Sequence, residues 1–433
     1  MRKRIIGVVA LSAALVAGGL TACGAGGGSD SKTITYWASN QGTSIPNDKE
    51  VLGPELAKFT KQTGIKVNLQ VIGWNDLLNR IMSATTSGEG PDVVNIGNTW
   101  SASLQATGAF VDFDKTNMDK IGGQDKFLAT SMSSTGAKGK TPTSVPLYGL
   151  SYGLFYNKKQ FAAAGIAKPP STWAELVADA KKLTKGKQYG MTLAGGSYTE
   201  NAHFAFMFGK QQGGDWFDGS GKPTYTGDAQ VKAVQQYLDL LGKDKVATPS
   251  SAEHATTTDA ISDFTSGKAA MLMGQNNTAA GIEAQGMKDY GVAPIPMLSP
   301  LPTGGQAINS HVAGINIAAF KDKNETGALK LIKFLTSKDE QVILNKKYGG
   351  LPVTQDASSD PTFQTPQNKV FVDVLAKTSA PMPMITNESQ FETTVGNAMK
   401  DLAAQAATGK TLTAADVKKA LADAQQKMQS GGN

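Results

Sequence analysis

The stretch from Thr33 to Ile96 changes its hydrophobic period four times, and that alternation restricts the fold more than any other feature of the chain. "TITYW" (33–37) is β-branched and aromatic, the composition of a short strand. Residues 46–63 carry Leu52, Leu56 and Phe59 at i, i+4 and i+7, with Gly64 placed to stop a helix. "IKVNLQV" (65–71) alternates apolar and polar residues, as a half-buried strand does. Leu77, Leu78, Ile81 and Met82 mark a second helix ending near Gly88, and "PDVVNI" (91–96) is an apolar strand behind a proline. Strand, helix, strand, helix, strand calls for a mostly parallel sheet covered by helices, an α/β fold.

Later segments continue the mixture. "VPLYGLSYGLFYNKKQF" (145–161) reads as long and extended, and "PPSTWAELVADAKKLT" follows with Thr172 and Glu175 as a capping box. Val231–Leu241 is amphipathic, Met271–Met273 is a short buried strand, and 328–335 and 337 onwards form two consecutive helices. Residues 395–429 close the chain as alanine-rich helix. At 433 residues the chain exceeds what one ordinary core holds, which favours two lobes. With 40% hydrophobic and 18% charged residues its composition is that of a soluble globular protein.

The first residues are of a different kind. Arg2, Lys3 and Arg4 precede "IIGVVALSAALVAGG", an apolar run of about 15 residues, short of the ~20 that span a bilayer. It ends in "LTAC", which resembles a bacterial lipobox, so residues 1–22 read as a lipoprotein signal peptide and Cys23 as the lipidated mature N-terminus. Cys23 is the only cysteine, and no disulfide can form within the chain. "GAGGGSDSK" (24–32) has the composition of a flexible tether. Its glycines neither follow a strand nor open a helix, which excludes a nucleotide-binding loop. Removing Arg2, Lys3 and Arg4 lowers 42 basic residues to 39 against 36 acidic ones, a net of +3. That is too weak to imply nucleic acid as partner.

Seven motifs then occur in order between Thr33 and about Gln429: "TITYWAS", "GEGPDVVNIGNTW", "VPLYGLSYGLFYNKKQFAAAGI", "PPSTWAEL", "GKAAMLMG", "AGINIAA" and "LIKFLTSKDEQVILNKKYGGLPV". Together with the lipobox they resemble the carbohydrate-type extracellular solute-binding proteins of ABC importers. The resemblance implies an α/β two-lobe periplasmic-binding-protein-like fold with a ligand cleft between lobes joined by crossing hinge segments. It places 33–150 plus 314–350 in an N-terminal lobe and 151–313 plus 351–433 in a C-terminal lobe. Crossings are expected near Tyr148–Tyr152, His311–Ile315 and Gly350–Val353. It also implies a lipid-anchored monomer on the extracellular or periplasmic face of the cell membrane. That monomer would close on a sugar and deliver it to ABC permease subunits, using no cofactor and performing no chemistry.

Candidate ligand residues follow from where strands end, since ligands of open α/β sheets sit beyond the carboxyl ends of strands. Trp37, Trp74 and Trp100 fall there, as stacking faces for sugar rings, with Ser39, Asn40, Gln41 and Asn98 as hydroxyl partners. Tyr148 and His311 lie at expected crossings. The polar stretch "SYTENAHF" offers Tyr198, Glu200 and His203 from the second lobe. Many relatives carry an aromatic just after the "Met-x-x-Gly" strand, where this chain has Gln275, Asn276 and Asn277, so Asn276 is a candidate and the likeness to maltodextrin binders is weaker. Phe391 is positioned to compensate if the C-terminal segment returns to the cleft. Trp173 and Trp216 read as packing residues.

Other functions are less well supported. A glycosidase needs a localised pair of carboxylates, and no such pair, metal cluster, nucleophile elbow or phosphate loop is evident. A polyamine site needs several convergent carboxylates. Peptides and chelates remain alternative solutes.

Overall fold

A computed structural model describes residues 32–431. The leader and Cys23, with the expected lipidation, lie outside the described residues. Its strands, in chain order, are β1 Thr33–Ser39, β2 Lys66–Ile72, β3 Val93–Gly97, β4 Val145–Leu150, β5 Tyr152–Asn157, β6 Tyr189–Thr192, β7 Ala269–Gln275, β8 Tyr290–Ala293, β9 Ser310–His311, β10 Ala313–Ala319 and β11 Ser379–Ala380. They form a five-stranded sheet ordered β2-β1-β3-β10-β4 and a four-stranded sheet ordered β6-β7-β5-β8, with β9 and β11 paired as a separate two-stranded ladder. β1 runs parallel to β2 and β3, while β10 enters antiparallel between β3 and β4. This is the α/β, two-lobe architecture that the motif resemblance implies; β1–β3 are parallel as the alternating periods require, but β10 and the second sheet's β5 pair antiparallel, so the sheets are mixed and not mostly parallel.

Local chemistry explains the first lobe. Ser44 caps helix Ile45–Thr63 by accepting from the Asn47 amide, and Gly64 ends it at φ 74°, a left-handed conformation that glycine adopts without strain. Leu52, Leu56 and Phe59 are buried on one face of that helix. β2 is an edge strand whose Lys66, Asn68 and Gln70 face water while Val67, Leu69 and Val71 are half covered, as its alternation requires. In the second lobe the Thr172–Glu175 capping box opens helix Trp173–Leu183.

Three boundaries differ from the sequence reading. The extended stretch at 145–161 is two strands and a short helix, Lys158–Ala163. The C-terminal helix starts earlier and is two helices, Glu388–Ala407 and Ala414–Ser430, because Gly409 at φ 94° breaks it and Thr413 and Asp416 form a new capping box. Gly350–Val353 does not carry the chain out of the first lobe. Gly149 and Leu351 exchange both backbone hydrogen bonds at 2.8 Å, and Leu128 N donates to Val353 O at 2.8 Å. Leu351 already packs its side chain into the cluster of Phe155 and Phe371 while its backbone stays paired with β4, and helix Pro366–Lys377 then lies on the second sheet, its Phe371 5.7 Å from Phe155 of β5.

Between β4 and β5 there is a single residue, Ser151. Its amide donates to Asn276 Oδ1 at 2.8 Å, its hydroxyl donates to Phe371 O at 2.9 Å, and its carbonyl accepts from Asn276 N at 3.0 Å. Asn276 Nδ2 also donates to Gly349 O at 2.7 Å. One asparagine thus ties two passages together.

Candidate ligand-binding cleft

A cleft of about 220 Å³ opens where the two sheets face each other. Its first wall consists of the segments that leave β1, β2 and β3: Asn40–Thr43, Trp74–Asn75 and Asn98–Trp100. Its second wall comes from the start of helix Tyr198–Gln211, from Thr256–Thr258, from Gln275 at the end of β7 and from Asn277 and Thr278 beyond it. His311 and Ala313–Ile315 cross its floor, and Lys347 and Tyr348 close one side.

Each wall is held by its own hydrogen bonds. In the first, buried Asp48 accepts from the Gln41 and Gly42 amides at 3.1 and 2.9 Å and from Asn40 Nδ2, fixing the loop after β1. Trp74 Nε1 donates to Asn40 O at 2.8 Å, which leaves the half-buried indole along the cleft. The Trp74 and Trp100 rings meet edge to face at 5.6 Å. Asn98 Nδ2 donates to Val312 O at 2.7 Å, joining the end of β3 to the crossing strand.

The second wall is a polar relay. Tyr152 OH lies 2.8 Å from both Glu200 Oε2 and His203 Nδ1, and it accepts from Gln275 Nε2 at 3.1 Å. His203 Nε2 lies 3.3 Å from Glu392 Oε1, and Glu392 Oε2 accepts from Trp100 Nε1 at 2.7 Å. Tyr152 has one hydroxyl hydrogen for two neighbours, so a further proton rests on Glu200 or on His203 Nδ1. Burial raises the Glu200 carboxyl above its ordinary range, with His203 opposing. His311, its ring 4.2 Å from that of His203, is held well below the ordinary histidine range by burial and by that neighbour, and is neutral.

Asn40, Gln41, Trp74, Asn98, Trp100, Glu200, His203 and His311 are brought together around the cleft. Trp37, Ser39, Tyr148, Tyr198 and Asn276 are not among its lining residues. β1 runs two residues beyond Trp37, which therefore packs against the helix layer with Leu77 and Ile81 and under the Arg80 guanidinium, 4.7 Å from the ring. Ser39 is buried and accepts from Asn95 Nδ2 at 3.2 Å. Tyr148 is mid-strand in β4, edge to face with Tyr348 at 5.5 Å. Tyr198 opens its helix behind the wall, and Asn276 is spent on Ser151. Phe391 does not return to the cleft. It is fully buried among Trp216, Phe217 and Tyr225, and its neighbour Glu392 is buried behind the cleft lining, against Trp100 and His203. Trp173 and Trp216 are packing residues, as read.

Sequence reasoning missed Thr256–Thr258, Gln275, Asn277, Lys347, Tyr348 and Glu392. The Thr256–Asp259 capping box marks the first of these as a helix start, but nothing local marks it as cleft wall.

A family described as bacterial extracellular solute-binding protein matches residues 42–342. The chain belongs to that family. As a solute-binding protein it is 26% identical over 343 residues to a putative binding protein of Brucella abortus (strain 2308), covering 78% of this chain and 81% of that one. It is 25% identical over 373 residues to the diacetylchitobiose binding protein DasA of Streptomyces coelicolor, covering 81% and 82%. An ABC transporter solute-binding protein of Thermotoga lettingae bound with α-D-tagatose superposes with a TM-score of 0.77 at 21% identity, covering 92% of this chain and 100% of that one. Likeness at that level shows the shared fold. Among the described residues no helix is long and apolar enough to cross a membrane.

Proposed function

We propose that this solute-binding protein captures a sugar or short oligosaccharide and hands it to the permease of an ABC importer, performing no chemistry itself. The observation that carries the reading is the composition of the cleft. An indole face at Trp74 stands opposite amides and hydroxyls, and the lining carries one carboxyl group, Glu200, and one lysine, exposed Lys347. A sugar ring offers apolar C–H faces to an indole and a belt of hydroxyls to amides, while a polyamine calls for several convergent carboxylates and the lining offers one. The diacetylchitobiose and tagatose named for the two relatives support the same class. Closure would be a hinge motion about the passages at Ser151, 311–313 and 359–365.

The test is a thermal-shift panel of maltose, maltotriose, N,N′-diacetylchitobiose, D-tagatose and ribitol against spermidine, tripeptides and ferric chelates. A ligand at 100 times its Kd adds about 2.7 kcal/mol to the folded state. At least one neutral sugar is expected to raise the melt; a shift confined to the other solutes overturns the reading. Recovery of the bound oligosaccharide uncut separates a binder from a glycosidase.

The "LTAC" ending and its flanks support lipid anchoring through Cys23. Cys23→Ser should release the protein from the membrane fraction, and equal retention of both forms would dismiss the anchor.

A further inference from the structure

His311 has a feature that the carbohydrate reading does not by itself require. It lines the cleft and is 1% exposed, yet neither Nδ1 nor Nε2 has a hydrogen-bond partner in the protein. Buried polar atoms without partners are rare in native structures and call for an explanation. A side chain that only filled space here would be better served by phenylalanine or leucine, which carry no polar atoms to desolvate.

The ring cannot easily withdraw to find partners elsewhere. Its backbone belongs to β9, paired with Ser379–Ala380 of β11. On one side Ser310 Oγ accepts from Tyr152 N at 3.0 Å, and on the other Val312 O accepts from Asn98 Nδ2 at 2.7 Å. The imidazole is thus fixed at a passage between lobes with its nitrogens free. Its packed neighbours are the rings of His203 at 4.2 Å and Tyr152 at 5.5 Å. A neutral imidazole offers one acceptor and one donor, which suits a hydroxyl. It gives no charge to an anion.

We propose that His311 sets the specificity of the cleft, hydrogen-bonding through one accepting and one donating nitrogen to uncharged oxygens of the ligand. The end of the ligand that enters deepest then carries free hydroxyls and neither phosphate nor carboxylate. This rests on the carbohydrate reading and narrows it.

The test is titration calorimetry on the mature protein, using the sugar that gives the largest shift in the panel, with sn-glycerol 3-phosphate as the anionic probe. His311→Phe keeps the ring volume and removes both nitrogens; His311→Gln restores one donor and one acceptor. Affinity should fall about tenfold to a hundredfold in His311→Phe and recover in part in His311→Gln. Apo His311→Phe should melt no lower than the parent, since a structural histidine would take stability with it and an orphaned one does not. sn-Glycerol 3-phosphate should bind the parent at least tenfold more weakly than the sugar. Binding by His311→Phe within twofold of the parent overturns the assignment of His311 and leaves the carbohydrate reading standing. Tight binding of the phosphate ester overturns the neutral-end claim. A parent that binds no sugar in the panel brings down both readings.

Discussion

The two walls of the cleft are built on opposite principles. The first-lobe wall is the exposed margin of a hydrophobic cluster: Trp74 and Trp100 adjoin Trp37, Leu77, Ile81 and Val94, and the same indoles that border the cleft also hold the lobe together. The second-lobe wall is a relay of Tyr152, Glu200, His203 and Glu392, in which nearly every polar atom answers to another. Aromatic burial is non-directional and roughly additive in area, so the first wall tolerates being shared between fold and site. Hydrogen-bond relays are directional and costly when half satisfied, so the second wall is specialised. The walls meet at the bond from Trp100 Nε1 to Glu392 Oε2.

Trp100→Ala tests the shared wall most severely. At 1% exposure Trp100 behaves as core, and truncation should cost about 3–5 kcal/mol of apo stability in a denaturant melt. Trp100→Phe should recover most of it, the remainder reflecting the lost bond to Glu392. If Trp100→Ala melts like the parent, the indole is a ligand platform and not a structural member, and the contrast between the walls fails.

Trp74→Ala should show the reverse balance. Stacking that buries ~80 Å² at roughly 25 cal/mol per Å² is worth about 2 kcal/mol, near thirtyfold in Kd. Calorimetric affinity should drop by about that factor, with a smaller loss of apo stability than in Trp100→Ala. Unchanged affinity would move the stacking face elsewhere.

The smallest effect is a pH slope. Burial, with Glu392 one helical turn away, pushes the Glu388 carboxyl well above its ordinary range. An acid whose folded value is raised contributes stability that is fully present below its unfolded value near 4.3. That contribution is lost as pH climbs from there towards the raised folded value. Glu388→Gln removes that loss. Its stability relative to the parent should rise between pH 5 and 8, read from urea midpoints at each pH. Parallel midpoints across that range would show that Glu388 carries no such linkage.

The stretch from Thr33 to Ile96 was legible because each element there announces itself locally, by period, cap or stop, whereas the short helices between Asn98 and Met132 carry too few turns to show a period. Trp37 was misplaced for a physical reason: "ASN" after it reads as polar loop, but Ala38 and Ser39 are small enough to continue a buried strand. The Glu388–Glu392 pair was invisible because acids spaced i, i+4 on an alanine-rich helix look like a solvated face. Their burial depends on helix Tyr198–Gln211 and on Trp100, far away in sequence. Phe391 was read toward the cleft and is core instead, while Glu392, about 100° further round the helix, faces Trp100.

Ser151 gives the molecule an asymmetry in what its length can change. Along β5, Tyr152 and Leu154 point into the main core while Phe155 points to the cluster around Phe371. With only one residue between β4 and β5, an insertion there has no slack in which to be absorbed. One added residue would rotate β5 by half its repeat and exchange its two faces, presenting Phe155 to the main core and Leu154 to Phe371's side. The 16 residues between β8 and β9 (294–309) carry no such penalty. Length variation among proteins built on this plan is therefore expected to collect in the long passage, while the short one fixes the phase of the second sheet relative to the first.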